Sequence, residues 1–201
     1  MTSRLETEIR LANEVGDKMQ DLIVAKGRVR HGDRNTLLMA YWSVIFEFHR
    51  SILCLLSYNF YGAAWSLARP TIEAAIRAHV VIIGSADDLK NIRADEYKTN
   101  FKKIGKAIDA SVYKDNVFER FLSDTRLMLH SFSHVGTMQL NRRFSNSDLT
   151  ENYPTEEIIA LIRFSTSATF MVNNVVTKHL GFDEEWLENT RLFEEWAKHP
   201  N

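Results

Sequence analysis

Apolar residues recur at steps of three and four along most of the chain, the spacing of helices with one buried face. Leu5, Ile9, Ala12, Val15, Met19, Leu22 and Ile23 predict a first helix from about Ser3 to Ala25, closed by Gly27. Leu37, Leu38, Tyr41, Val44, Ile45, Phe48, Ile52 and Leu55 predict a long second helix that opens near Asp33 as N-cap. After a tight connection at Asn59 to Gly62, a third helix spans Ala63 to Ile83 and stops at Gly84. Pro70 lies inside it and is expected to kink it, because proline lacks a backbone donor and collides with the turn before it.

The pattern then turns polar and basic over Ala86 to Ile108, read as a fourth helix. A fifth covers about Asn116 to His134 and ends before Gly136, and a short sixth holds Met138 to Phe144. Ser145 to Tyr153 reads as an exposed loop. Pro154-Thr155-Glu156-Glu157 then starts a seventh helix, since proline fits the first turn and acids favour the positive end of the helix dipole. That helix reaches Leu180, and an amphipathic one from Asp183 to Lys198 completes the chain. The expectation is an all-α, single-domain bundle of about seven to eight helices over residues 1–201, with a core from about 35 to 180 and the terminal helices packed on it.

Composition agrees with a packed core: of 201 residues 45% are apolar and 25% charged, with only 8 Gly and 3 Pro to break helices. The single cysteine, Cys54, excludes an internal disulfide and is read as a small core residue, as Trp42, Trp65, Tyr58 and Tyr61 are read as core aromatics. No apolar stretch approaches the roughly 20 uninterrupted residues of a membrane helix, and the N-terminus lacks a leader pattern, so a cytoplasmic protein without a membrane partner is expected. A formal charge of −1 gives no strong overall attraction to nucleic acid. Locally, however, Lys90, Arg93, Lys98, Lys102, Lys103 and Lys106 form a basic stretch.

Two charged stripes carry the candidate chemistry. Arg69, Glu73 and Arg77 follow at i,i+4 on the otherwise apolar third helix and therefore share one side of it. Either Glu73 bridges both arginines as an internal ion-pair network, or the guanidiniums line a wet groove and receive an anion such as phosphate. The fifth helix aligns Glu119, Ser123, Arg126, His130 and His134, and the next segment adds Gln139, Arg142 and Arg143. That stripe reads as a solvated face, as a His–Arg cluster for proton transfer and phosphate stabilisation, or as a His130/His134 metal pair without the HExxH glutamate. The glycine-rich phosphate loop, the nucleophile elbow and the helix-turn-helix signature are absent from the sequence.

Across Leu67-Ala68-Arg69-Pro70-Thr71-Ile72-Glu73-Ala74-Ala75-Ile76-Arg77, and again at Leu129-His130-Ser131-Phe132-Ser133-His134-Val135-Gly136 with Arg142-Arg143, the chain resembles a group of uncharacterised bacterial helical proteins. These are similar to the HEPN (higher eukaryotes and prokaryotes nucleotide-binding) superfamily of helical bundles. The resemblance covers about Asn35 to Leu180. It implies an RNA- or nucleotide-directed protein, a metal-independent endoribonuclease of toxin–antitoxin or phage-defence type, working as a homodimer without cofactor. His134 and His130 would then act with Arg142, Arg69, Glu73 and Arg77 at the reacting phosphate, while Arg143, Gln139, Arg126, Lys98, Lys102 and Lys106 hold the RNA. The spacing departs from the superfamily motif, which puts four to six residues between Arg and His; here Arg126 precedes His130 by three intervening residues and His134 by seven. The alternatives kept beside it are a non-enzymatic binding or oligomerisation module built on the Arg–Glu–Arg network and a metal-dependent helical hydrolase.

Overall fold

The computed structural model describes residues 3–27, 29, 32–113, 115–133, 140, 142, 144–145, 148–149 and 152–199, with the side chains of 101–102, 126–133, 144–145 and 148–149 outside the description. It is an all-α bundle. In chain order the helices are α1 (Arg4–Val24), α2 (Asp33–Ser57), α3 (Tyr61–Ser66), α4 (Ala68–Ile83), α5 (Ala86–Arg93), α6 (Phe101–Ser111), α7 (Val117–Ser133), α8 (Thr155–His179) and α9 (Asp183–Ala197). Helices α2 and α8 form its centre. They pack on each other, α1 and α9 cover one side, and α4, backed by α6 and α7, covers the other.

Local chemistry explains where the chain departs from the sequence pattern. The expected kinked third helix is instead two helices, α3 and α4, broken at Leu67. A ring at Pro70 would collide with the carbonyl of Ser66, four residues earlier, so the helix stops there and restarts with Pro70 in the first turn of α4, where its missing N–H costs nothing. The basic fourth helix is likewise two, α5 and α6. Asp95 takes a left-handed conformation (φ 55°), and the N–H groups of Glu96 and Asp95 donate to the carbonyls of Asn91 (2.8 Å) and Ile92 (3.2 Å). This is a Schellman ending formed without glycine. Asn59 (φ 62°) ends α2 in the same way.

Asp33 is the first residue of α2 rather than its cap, which is Gly32. In the segment read as a loop, Phe144–Ser145 and Asp148–Leu149 pair as a two-residue antiparallel hairpin, Phe144 opposite Leu149. The expected short helix over Met138 to Phe144 falls mostly outside the described residues.

The core is apolar but pinned by a few polar hubs. Asn173 of α8 accepts from Trp42 Nε1 (2.8 Å) and donates to the Met19 carbonyl (2.9 Å) and to Asn189 Oδ1 (2.9 Å), joining α1, α2, α8 and α9 at a fully buried point. His49 of α2 bonds the Ala12 carbonyl (3.3 Å) and Ser165 Oγ (3.0 Å), and a Cβ added at Gly16 would come within 2.9 Å of its Nε2. Gly16 is thus what lets α1 approach the imidazole. Of the aromatics read as core, Trp42 and Trp65 are buried, Tyr61 is half-buried and Tyr58 is 69% exposed. Cys54 is exposed too, because it projects from the outer side of α2 and not into the core.

By length and mean hydropathy (1.2), α8 could cross a membrane, which the sequence pattern did not suggest. Its apolar window is 72% buried among the other helices, so that face is already used for packing.

Candidate functional site

Helix α4 is buried on nearly every side. Within its 68–81 stretch, Arg69, Pro70, Glu73 and Arg77 are the half-buried positions, and the rest are buried. The charged stripe therefore follows the one strip of α4 that reaches water, as an unpaired interior charge would be too costly to retain. Arg69 Nε donates to Glu73 Oε1 at 2.9 Å, with side chains 43% and 34% exposed. Arg77 does not share that carboxylate; its nearest acid is Asp95, on the α5–α6 connection, at 3.4 Å. Glu73 thus orients one arginine, while the turn made by Asp95's left-handed backbone anchors the other.

Arg142 lies just before the hairpin. Its guanidinium forms an ion pair with Glu157 in the first turn of α8, and its carbonyl accepts from the Asn152 N–H at 2.8 Å. The residue after Asn152, Tyr153, sets its ring 5.5 Å from that of Tyr61, tilted by 49°. Those contacts bring the Arg142 segment to α3, at the end of the bundle where α4 begins. The sequence had marked Glu157 only as an acid suited to a helix start, and had not singled out Asp95 or Tyr153.

Helix α7 starts on the other half of α4. Phe118 packs on His79 with ring centroids 4.7 Å apart, and Asp109 of α6 accepts from the N–H groups of Phe118 and Glu119 (2.8 Å each), capping the start of α7 from outside. Because α7 also packs on α3, it runs back along α4 toward the α3–α4 junction. At about 1.5 Å per residue, Arg126 and His130 lie about 12 and 18 Å beyond Phe118, and Arg69 lies about 15 Å back from His79. The Arg126 and His130 backbones of α7 therefore lie on the junction side of the Phe118–His79 contact. Their side chains, and all of His134, Gln139 and Arg143, lie outside the described residues. Lys98 is exposed on the α5–α6 connection and Lys106 is exposed on α6; Lys102 is on α6, with its side chain outside the description.

His79 completes the buried side of this region. Its Nδ1 sits 2.7 Å from the Ala75 carbonyl, which can only accept, so Nδ1 carries the proton. Burial pushes the imidazole down to about 4, leaving Nε2 as an acceptor for the Tyr113 hydroxyl at 2.9 Å. Burial in turn raises the Tyr113 phenol well above its ordinary value, so both groups stay neutral. This pair is a structural tie between α4 and the end of α6. Among the described residues, no three His, Cys, Asp or Glu side chains are grouped to hold a metal.

The geometry defines a helical bundle in which α4 carries an arginine-bearing strip that reaches water, and α7, whose sequence includes His130, packs on the same helix at His79. The chain belongs to a family of unknown function, DUF6988, whose sequence model spans residues 42–193, from the middle of α2 to near the end of α9. No curated protein and no solved structure matches it.

Proposed function

We propose that this is an RNA- or nucleotide-directed helical protein of HEPN-like type whose phosphate site lies at the α3–α4 junction, acting as a metal-independent endoribonuclease. The observation that supports it most is the packing of α7, whose sequence holds His130, on both α3 and α4, together with the contacts by which Tyr153 and Asn152 tie the Arg142 segment to α3. Guanidiniums already oriented by carboxylates offer a donor fork suited to phosphate oxygens. In this mechanism a ribose 2′-hydroxyl attacks the adjacent phosphorus, His134 takes its proton, and Arg142 and Arg69 stabilise the charge that builds on the phosphate oxygens. The 5′-oxygen leaves as a hydroxyl after taking a proton from water, and the upstream fragment keeps a 2′,3′-cyclic phosphate. His130, Arg77 and Glu73 hold this geometry, and Lys98, Lys102, Lys106, Arg126, Gln139 and Arg143 bind the flanking strand.

The test is incubation of purified protein with mixed RNA in a chelator, for wild type, His134→Ala and Arg69→Ala. Cleavage with cyclic-phosphate ends that either substitution lowers at least tenfold supports the reading. No cleavage by wild type, or equal cleavage by all three, removes it. A second reading, a binding module without catalysis, draws on the pairing of Arg69 with Glu73 and Arg77 with Asp95. It predicts RNA or nucleotide retention without product, lost on Arg69→Ala.

A further inference from the structure

We propose that the outward face of α2 pairs with α2 of a second copy of this chain, antiparallel, about a two-fold axis passing between Phe48 and His49. The exposed positions of α2 follow a 4–3 spacing through Ala40, Ser43, Glu47, Arg50, Cys54 and Ser57. That is the period of a left-handed helix–helix seam, and small side chains along it permit close approach. The flank is apolar: Val44, Phe48 and Leu55 are half-buried, and Tyr58 and Phe60 at the end of the helix are 69% and 58% exposed. The outer sides of α1 and α9, by contrast, bear Arg10 with Glu14 and Arg191 with Glu188 and Glu195, as helices that face water usually do.

Charge selects the occupant. From Asn35 to Ser57 the acidic and basic residues of α2 are Glu47, Arg50 and His49, the last buried and neutral. Asp33 and Arg34 in the first turn are engaged with Arg93 and with the carbonyls of Ile82 and Gly84. Among the described residues Glu47 makes no ion pair or hydrogen bond, and Arg50 pairs with Asp17 alone, the Arg50 and Asp17 side chains both more than half exposed. About the proposed axis Glu47 meets Arg50 of the second copy and Arg50 meets its Glu47, so one two-fold operation satisfies both. The same register sets Ser43 against Cys54 and Ala40 against Ser57. A face about 37 Å long and one helix wide is at the small end of stable interfaces, so association in the micromolar range is expected. This inference is independent of any activity on RNA.

Sedimentation equilibrium of the full chain at about 1–100 μM tests it, with Glu47→Arg and the swap Glu47→Arg/Arg50→Glu. Glu47→Arg is expected to weaken the dimer at least tenfold, since like charges then face each other, and the swap to restore it. Cys54 gives a register check. Its two copies would lie about 16 Å apart along the axis, too far for a disulfide, whereas Ser43→Cys would oppose Cys54 and cross-link under mild oxidation. A monomeric wild type at 100 μM overturns the proposal. So does a dimer indifferent to Glu47→Arg, a swap that stays monomeric, or oxidation that links wild-type Cys54 to its own copy.

Discussion

Replacing Glu73 with Ala separates a water-reaching strip from an interior ion-pair network. In a network, Glu73 would neutralise two buried guanidiniums, and its loss would strand charge in the core at a cost of about 3–5 kcal/mol. The geometry predicts far less. Glu73 holds Arg69 alone at 2.9 Å, both side chains are about a third or more exposed, and Arg77 leans on Asp95 instead. An i,i+4 pair in such surroundings contributes about 0.3–0.5 kcal/mol, and solvent screening lowers rather than raises that figure. The helix itself gains slightly from alanine. Glu73→Ala should therefore change stability by less than about 1 kcal/mol, which for a chain of this length moves the thermal midpoint by no more than about 2–4 °C. Urea unfolding followed by far-UV circular dichroism, with Glu73→Gln alongside, is the assay. A loss above about 3 kcal/mol for the alanine variant would show that the stripe is buried and paired, and the phosphate-site reading would go with it.

Two other perturbations probe what holds the site in place. Asn173→Ala removes three buried hydrogen bonds and leaves the Trp42 N–H, the Met19 carbonyl and the Asn189 side chain without that partner. At about 1–3 kcal/mol per stranded group, a loss of at least about 3 kcal/mol in urea unfolding is expected, and a loss under 1 kcal/mol would contradict the hub. Acid should weaken the fold through His49 and His79, whose burial holds both near 4, against an ordinary value of 6.5. Between those limits the unfolded chain binds more protons, so stability is full above about pH 6.5 and falls as pH drops toward 4. For the pair the expected loss from pH 7.5 to 5 is about 3–4 kcal/mol by urea unfolding; a change within 1 kcal/mol would refute the assignment of two neutral buried rings.

The helices were legible where periodicity was strong and an ending carried a familiar signal. Gly27, which closes the first helix in the pattern, takes the left-handed turn expected of glycine. The breaks at Leu67 and Asp95 were hidden for different reasons. Proline marks a clash four residues upstream of itself, so the pattern located the disturbance but not the stop. Aspartate in a left-handed turn looks in sequence like one more polar residue of a charged helix. Cys54 and Tyr58 were misplaced because α2 is apolar on almost every side, and composition alone cannot tell its inward face from its outward one. The i,i+4 stripe of α4 needed only helical geometry to be seen, whereas Asp95 and Glu157 reach their arginines from other elements and left no trace in local spacing.

The α3–α4 break ties this local chemistry to the candidate site. An unbroken helix through Ala63 to Ile83 would have kept Arg69 mid-helix, enclosed by the turns before and after it. Stopping at Ser66 and restarting at Ala68 puts Arg69 in the first turn of α4, beside α3, on which the Asn152–Tyr153 segment packs. That turn is the N-terminal end of α4, where unpaired N–H groups and the helix dipole favour negative charge. The proline that looked like a defect in the pattern thus sets where α4 begins, and under the proposed function the arginine immediately before it is the side chain that would meet the phosphate.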